Sequence, residues 1–324
     1  MRISAISSAG DAIDATRQFL YGQSLLRYLT LGMMALFLGP AGVSGPPGPI
    51  QFREEVFETN DTQLPTPEEL FDAIPMEAML LVIALIGLFA LGYALLGSFM
   101  EFAFVHSLAT EVVQLREPMA TYWRHALGLF AFRVVLWSLT FGPMLLVGLT
   151  ALGVLEIPLG ISLLGLGAIA SAMAVFGYVI NRLTTDFVVP VMLHEDRNVL
   201  DGWRRMLGVM RRELREYIAY IPIRIMIEVA LGIAIGIIMV IGFVAIGIFL
   251  GIPLGLVFYL ALGFVGVAIV AVLLLLVGLV ALVLVLVPFH TYLRYYTLLV
   301  LGDTEDELDL IPGLRETVRN GPTV

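Results

Sequence analysis

Long apolar runs alternate with short charged segments along the chain, the pattern of a helical protein that crosses a membrane several times. Gly10 to Leu20 sets Asp11, Asp14 and Arg17 against Ile13, Phe19 and Leu20 at helical spacing. This predicts a short helix within residues 1–24, lying in the cytoplasmic interface. Leu25 to Gly39 is a first apolar stretch, interrupted by Arg27 and shorter than the ~20 residues a crossing helix needs. Met76 to Val105, Gly128 to Leu155 and Ile157 to Val191 read as the second, third and fourth spans.

Val229 to Leu293 carries no formal charge when His290 is neutral. As helix at ~1.5 Å per residue this run would reach roughly 98 Å, about three crossings of a ~30 Å core. Three crossings would leave Arg294 outside, so the preferred reading has two spans, Pro222 to Phe249 and Val267 to Pro288. Gly251 to Gly266 is then a re-entrant or interfacial piece; a seventh helix is the alternative. The expected fold is all-α: a single transmembrane domain over 25–300, about six spans in a helical bundle.

Residues 40–75 are rich in Gly and Pro and then acidic, with Arg53 as their one basic residue, and read as an external loop. The other arginines fall in or beside segments that alternate to the opposite side. The positive-inside rule therefore puts both termini in the cytoplasm of a multi-pass cell-membrane protein. Asp11 and Asp14 stand where a cleaved leader would need its apolar run, so no leader is expected. Residues 301–324 read as an acidic, solvated cytoplasmic tail.

Two stretches resemble each other. Glu101-Phe102 and Asp186-Phe187 each end an apolar run, a polar turn follows, and Trp123-Arg124 and Gly128 recur as Trp203-Arg204 and Gly208. The order implies repeated hairpins joined by cytoplasmic amphipathic helices near 111–127 and 199–216. Pro288-Phe289-His290 occupies the corresponding place in the last span and, with the N-terminal helix and first span, would complete a third unit. Repeats that share one orientation imply an axis along the membrane normal. Gly160, Gly165, Gly167, Ala170, Ala174 and Gly177, and the pair Gly232 and Gly236, are small residues at helical spacing that let backbones approach in lipid.

Composition supports the membrane reading and limits the chemistry. The chain of 324 residues is 59% hydrophobic with a mean hydropathy of +0.96, more apolar surface than a soluble core of this length buries. It has no cysteine, so disulfides, thiolate metal sites and thiol nucleophiles are excluded. All 18 basic residues are arginine, against 27 acids, a balance that suits a high-salt origin and leaves nucleic acid out as a partner.

At DFVVPVMLHEDRNVLDGWRRML and TYLRYYTLLVLGDTEDELDLIP the chain resembles a family of uncharacterised multi-pass membrane proteins from haloarchaea. More distantly it is similar to the membrane domain attached to some bacterial glycerophosphodiester phosphodiesterases. The likeness implies fold and membrane location; the soluble domain that gives those bacterial enzymes their activity has no counterpart here.

The candidate binding residues are the charges within spans. Glu101, Arg133, Arg182, Asp186 and Arg294 fall at the cytoplasmic ends, where interfacial anchoring is the expected role and a cytoplasm-facing polar site the alternative, with Arg133 and Arg294 able to snorkel outward. Glu228 lies deeper, with Arg224 four residues earlier and Arg182 as its expected partners, either as a pair that locks two helices or as a proton or ligand site. Trp123, Arg124, Trp203, Arg204, Arg205, Arg211 and Arg212 are expected at the lipid interface, against anionic headgroups.

His106, His194 and His290 lie at one level without the paired spacing of a zinc site, and His194-Glu195 lacks the second histidine of HExxH because Asn198 stands there. No metal or cofactor is expected. No catalytic motif is present either, so the leading expectation is a non-enzymatic membrane component, accessory or lipid-organising, with membrane lipids and a partner membrane protein as its contacts. A transporter or channel-like protein for a small solute or lipid is the alternative.

Overall fold

The computed structural model describes residues 4–38, 75–151 and 163–320, and every regular element among them is helical. The loop expected over 40–75 and Gly160 fall outside the described residues, Pro75 excepted. The chain runs through α1 (Ser4–Tyr21), α2 (Leu25–Phe37), α3 (Met76–Thr110), the short α4 (Arg116–Thr121), α5 (Trp123–Ala151) and α6 (Leu163–Leu183). A π turn, Thr184–Val188, joins α6 to α7 (Val189–Glu195). Then come α8 (Val199–Arg212), α9 (Leu214–Ile246), a second π turn (Gly247–Gly251), α10 (Ile252–Leu262), α11 (Phe264–Thr304) and, after a 3-10 turn, α12 (Pro312–Asn320).

Five helical stretches among the described residues are long and apolar enough to cross a membrane: Leu80–Thr110, Trp123–Leu145, Gly167–Glu195, Leu214–Leu262 and Phe264–Thr304. The sixth apolar helix, α2, is shorter at 13 residues. One of its faces packs into the bundle nonetheless, with Leu31, Met34 and Ala35 buried and Leu25, Leu26 and Met33 exposed. Tyr28 donates to Leu284 O of α11 at 3.0 Å, Gly32 sits against Val283, and Gly97 of α3 sits against Phe37 O, so that a Cβ at either glycine would collide.

The segment expected to be re-entrant is helical. α9, the second π turn and α10 form one continuous stretch of 49 residues, the chain reverses at Gly263, and α11 returns over 41 residues. No uncoiled backbone lines a cavity there. The physical reason is that an uncharged run in lipid satisfies its backbone most completely as helix.

Burial divides the molecule into two levels. The upper parts of α3 (80–97) and α11 (264–285) carry mostly exposed apolar side chains, about 18 and 22 residues or roughly 27 and 33 Å, close to the thickness of a bilayer core. Below them the same helices become enclosed on every side. Phe102 to Val105, Thr184 to Met192 and Leu293 to Gly302 are buried throughout, and they form the main apolar core with α1, α8 and α12 around them. The expected solvated tail is part of this cap: Leu308, Ile311 and Leu314 are buried, and Arg319 of α12 pairs with Asp11 of α1 and Asp303 at 2.9 and 2.7 Å. An amphipathic α12 and the apolar face of α1 cover each other, which removes both from solvent.

Two further expectations change. The amphipathic helix near 111–127 is only α4 plus the first turn of α5, because Trp123 to Gly128 continues directly into the span. Of the small-residue stripes, Gly177 packs on Thr140 of α5, with Ala170 and Ala174 buried on that helix. A Cβ at Gly236 would meet no atom of another element within 4 Å among the described residues.

Candidate functional site: a crossed arginine–carboxylate network

Four arginines and three carboxylates from α3, α5, α6, the first π turn, α9 and α11 meet in one buried network at the top of the cap. Glu101 of α3 receives Arg133 Nη2 of α5 at 3.2 Å and is also paired with Arg294 of α11. Arg294 Nη1 lies 3.8 Å from Asp186 Oδ1 and donates to Thr185 O at 2.6 Å. Arg182 and Arg224 each reach both remaining acids. Arg182 lies 3.3 Å from Asp186 and 3.1 Å from Glu228, and Arg224 lies 3.3 and 3.7 Å from the same two.

The expected roles of Arg133 and Arg294 at the membrane surface are therefore corrected. Both are under 10% exposed, and Glu101 and Asp186 are 2% and 1% exposed. The cap encloses that level of the helices, so the side chains turn inward to each other rather than out to water. The pairing of Glu228 with Arg224 and Arg182 is as expected.

The local backbone is built for this arrangement. In a regular α-helix Thr185 O would accept the N–H of Val189, but in the π turn Val189 donates to Thr184 O, and Pro190 has no N–H to offer. Thr185 O is left for Arg294, and its hydroxyl accepts Arg133 at 2.9 Å. Trp203 of α8 braces the turn from outside by donating to Thr184 Oγ1 at 3.1 Å. A π turn followed by Pro253 recurs at Gly247–Gly251, in a stretch without charged residues.

Two tyrosines absent from the sequence reading complete the network. Tyr220 donates to Asp186 Oδ2 at 2.8 Å and Tyr178 donates to Glu228 Oε2 at 3.3 Å. A signal for them exists: Tyr178, Arg182 and Asp186 stand four residues apart on one helix face, and Tyr220, Arg224 and Glu228 repeat the spacing. The two ladders run antiparallel, so each tyrosine meets the carboxylate of the other ladder and both arginines fall in the middle. A narrow cleft opens there between α6 and α9, lined by Tyr178, Arg182, Tyr220 and Arg224 with apolar Leu183 and Ile225 at its mouth.

The expected lipid-interface residues separate into two groups. Arg205 pairs with Glu195 at 3.3 Å and Glu307 at 2.8 Å, and Arg212 with Glu305 at 2.8 Å, so these two fasten α8 to the chain after α11. Trp203 is turned inward, as described. Leu200, Arg204, Leu207 and Arg211 form the exposed stripe of the same helix. Trp123 is 47% exposed with Arg124 stacked 5.4 Å over its ring.

Beside it, His125 lies 3.3 Å from Asp196, and burial together with Asp196 and Glu117 holds the Tyr122 hydroxyl above its ordinary pKa. His106 packs on the Tyr122 ring at 5.7 Å. Among the described residues, His, Asp and Glu side chains form no group placed to hold a metal ion.

The network can hold helices together, bind an anion, or store a proton; it presents no nucleophile beside a base. No curated protein and no solved structure matches the chain. A match to a family of unknown function does cover residues 3–311, nearly the whole length, and the protein thus belongs to the family DUF7544.

Proposed function

We propose that this protein is a non-enzymatic component of the cell membrane that organises lipid around a rigid, charge-locked base. In this reading it crosses the membrane six times, α2 included, with both termini cytoplasmic and three hairpins in repeated order. The observation that carries it is the exposed stripe Leu200, Arg204, Leu207, Arg211 on α8, where apolar and cationic side chains alternate at helical spacing on the face turned away from the core. Such a face suits an anionic headgroup layer, with leucines reaching the acyl boundary and guanidiniums the phosphates. A second contact is a partner membrane protein along the exposed α9–α10–α11 hairpin. Nucleic acid has no place in this reading.

The test compares the wild type with Arg204→Gln/Arg211→Gln in bilayers containing spin-labelled phosphatidylglycerol. The double variant should hold fewer motionally restricted anionic lipids at unchanged stability. Equal restriction in the two proteins would rule the reading out. Transport of a small solute or lipid is the second reading, supported by the opening of the arginine cleft towards α6 and α9; flux in proteoliposomes, lost in Glu228→Gln, would establish it.

A further inference from the structure

We infer that the cleft between α6 and α9 is a binding site for a phosphate-class anion, held between Arg182 and Arg224. The inference rests on the membrane reading only in taking the cleft to open towards lipid. Its first support is charge. The connected network contains Arg133, Arg182, Arg224 and Arg294 against Glu101, Asp186 and Glu228, which leaves one positive charge in excess in a buried place where uncompensated charge is costly.

The second support is an unused donor. Arg224 is 3% exposed, yet its Nη1 has no hydrogen-bond acceptor, with Glu228 Oε2 standing off at 3.7 Å. That atom belongs to a side chain lining the cleft. Two guanidiniums from antiparallel helices, each already oriented by Asp186 and Glu228, offer N–H groups to a tetrahedral oxyanion from both sides, the geometry arginine uses for phosphate. Tyr178 and Tyr220 flank the pair, and their hydroxyls donate to the same carboxylates that the arginines engage.

The third support is access. Val179, Leu183, Ile221 and Ile225 line the remainder of the cleft, a throat whose exposed surface is almost wholly apolar with the buried Arg224 behind it, a lining that suits a phosphate with an acyl chain attached. The cleft itself holds about 10 Å³, room for one water-sized group, so one phosphate oxygen enters between the arginines while the rest of the group remains at the throat.

The anion is either a phospholipid headgroup or free phosphate, and two measurements on the full chain separate them. Native mass spectrometry from phosphatidylcholine bilayers with and without phosphatidylglycerol reads retained lipid; thermal unfolding in uncharged detergent, with inorganic phosphate against chloride at matched ionic strength, reads the free ion. One phospholipid retained per chain, reduced about tenfold in Arg224→Gln, identifies the headgroup. A phosphate-specific rise in Tm that Arg224→Gln lacks identifies the free ion.

Ile225→Trp fills the throat without altering any charge, and should abolish either signal while the protein stays folded. It keeps the test decisive if Arg224→Gln does not fold. Absence of both signals in the wild type, or signals unchanged in Ile225→Trp, would overturn the site. Failure of this site leaves the α8 stripe untouched, and Arg204→Gln/Arg211→Gln tests that stripe without altering the cleft.

Discussion

Glu101 and Asp186 hold the same position on two different helices, and Arg294 lies between them. Each acid precedes a fully buried phenylalanine, and each stands ten residues before a non-glycine residue in the left-handed region, Glu111 and Asp196. In the last long helix the charged–aromatic pair nearest this level is Arg294-Tyr295 and not Pro288-Phe289-His290; it stands ten residues before Thr304, the last residue of α11, one residue further from its cap than the two acids are from theirs. The sign of its charge is opposite, so it pairs with Glu101 and approaches Asp186.

Arg294→Gln removes the cation shared by Glu101 and Asp186: Asp186 keeps Arg182 and Arg224, and Glu101 is left facing Arg133 alone among the described residues. The expected cost is about 3–5 kcal/mol, because breaking one partner of a buried pair strands the other. Unfolding in mixed micelles measures it. Adding Glu101→Gln to Arg294→Gln should recover part of the loss; a double variant as unstable as the sum of the two singles would disprove the coupling.

Pro190→Ala restores an N–H in the first turn after the π turn and lets the backbone compete for carbonyls near Thr185. The Arg294 hydrogen bond to Thr185 O should weaken, at a cost of about 1.5–3 kcal/mol for a bond to a charged group. Faster hydrogen exchange across Thr184–Glu195 would accompany it, and unchanged exchange would count against the role given to Pro190.

The α10–α11 reversal depends on two glycines. Gly263 has φ +64° and ψ −141°, a region open essentially to glycine alone, and a Cβ at Gly266 would lie 2.1 Å from Phe258 O. Gly263→Ala is expected to cost about 1–3 kcal/mol, and Gly266→Ala to push α10 from α11. Exchange at the amide of Gly266, which donates to Gly263 O at 3.1 Å, should rise in both.

In the cap, apolar burial outweighs exposed ion pairing. Leu314→Ala empties a site that is 6% exposed and should cost about 2–5 kcal/mol. Arg319→Ala removes partly exposed pairs, each expected to contribute about 0–1 kcal/mol. Limited proteolysis of α1 should follow the same order, Leu314→Ala being cut faster than Arg319→Ala.

Topology is open to single cysteines because the chain has none. Gly10 and Asn320 are exposed, whereas Thr304 is engaged by Tyr217 at 2.8 Å and is the poorer site. Gly10→Cys and Asn320→Cys should both resist an impermeant maleimide in intact cells and react after permeabilisation. Reaction of either one from outside would reverse the proposed orientation.

Much of the site was legible. Glu228 with Arg224 and Arg182 follows from spacing and depth, and the paired Tyr-Arg-acid ladders stand in the sequence at four-residue intervals. What spacing does not carry is the partner on another helix. Arg133 and Arg294 look like snorkelling residues because their depth is right for it, and only the enclosure by α1, α8 and α12 makes the interior the nearer place for their charge. Arg205 and Arg212 look like headgroup ligands for the same reason, until Glu305 and Glu307 come back across α8.

The sequence by itself determined the helical content, the long apolar helices compatible with a membrane and the spacing of charges along them, since hydropathy and the rise of a helix are local properties. The tertiary structure decided which charges meet, which glycines touch a neighbour, that Gly251 to Gly266 belongs to a helical hairpin, and that the acidic tail folds into a cap. Those outcomes depend on the rotation and packing of whole helices about one another, where burial of distant apolar faces and mutual neutralisation of charge are settled together.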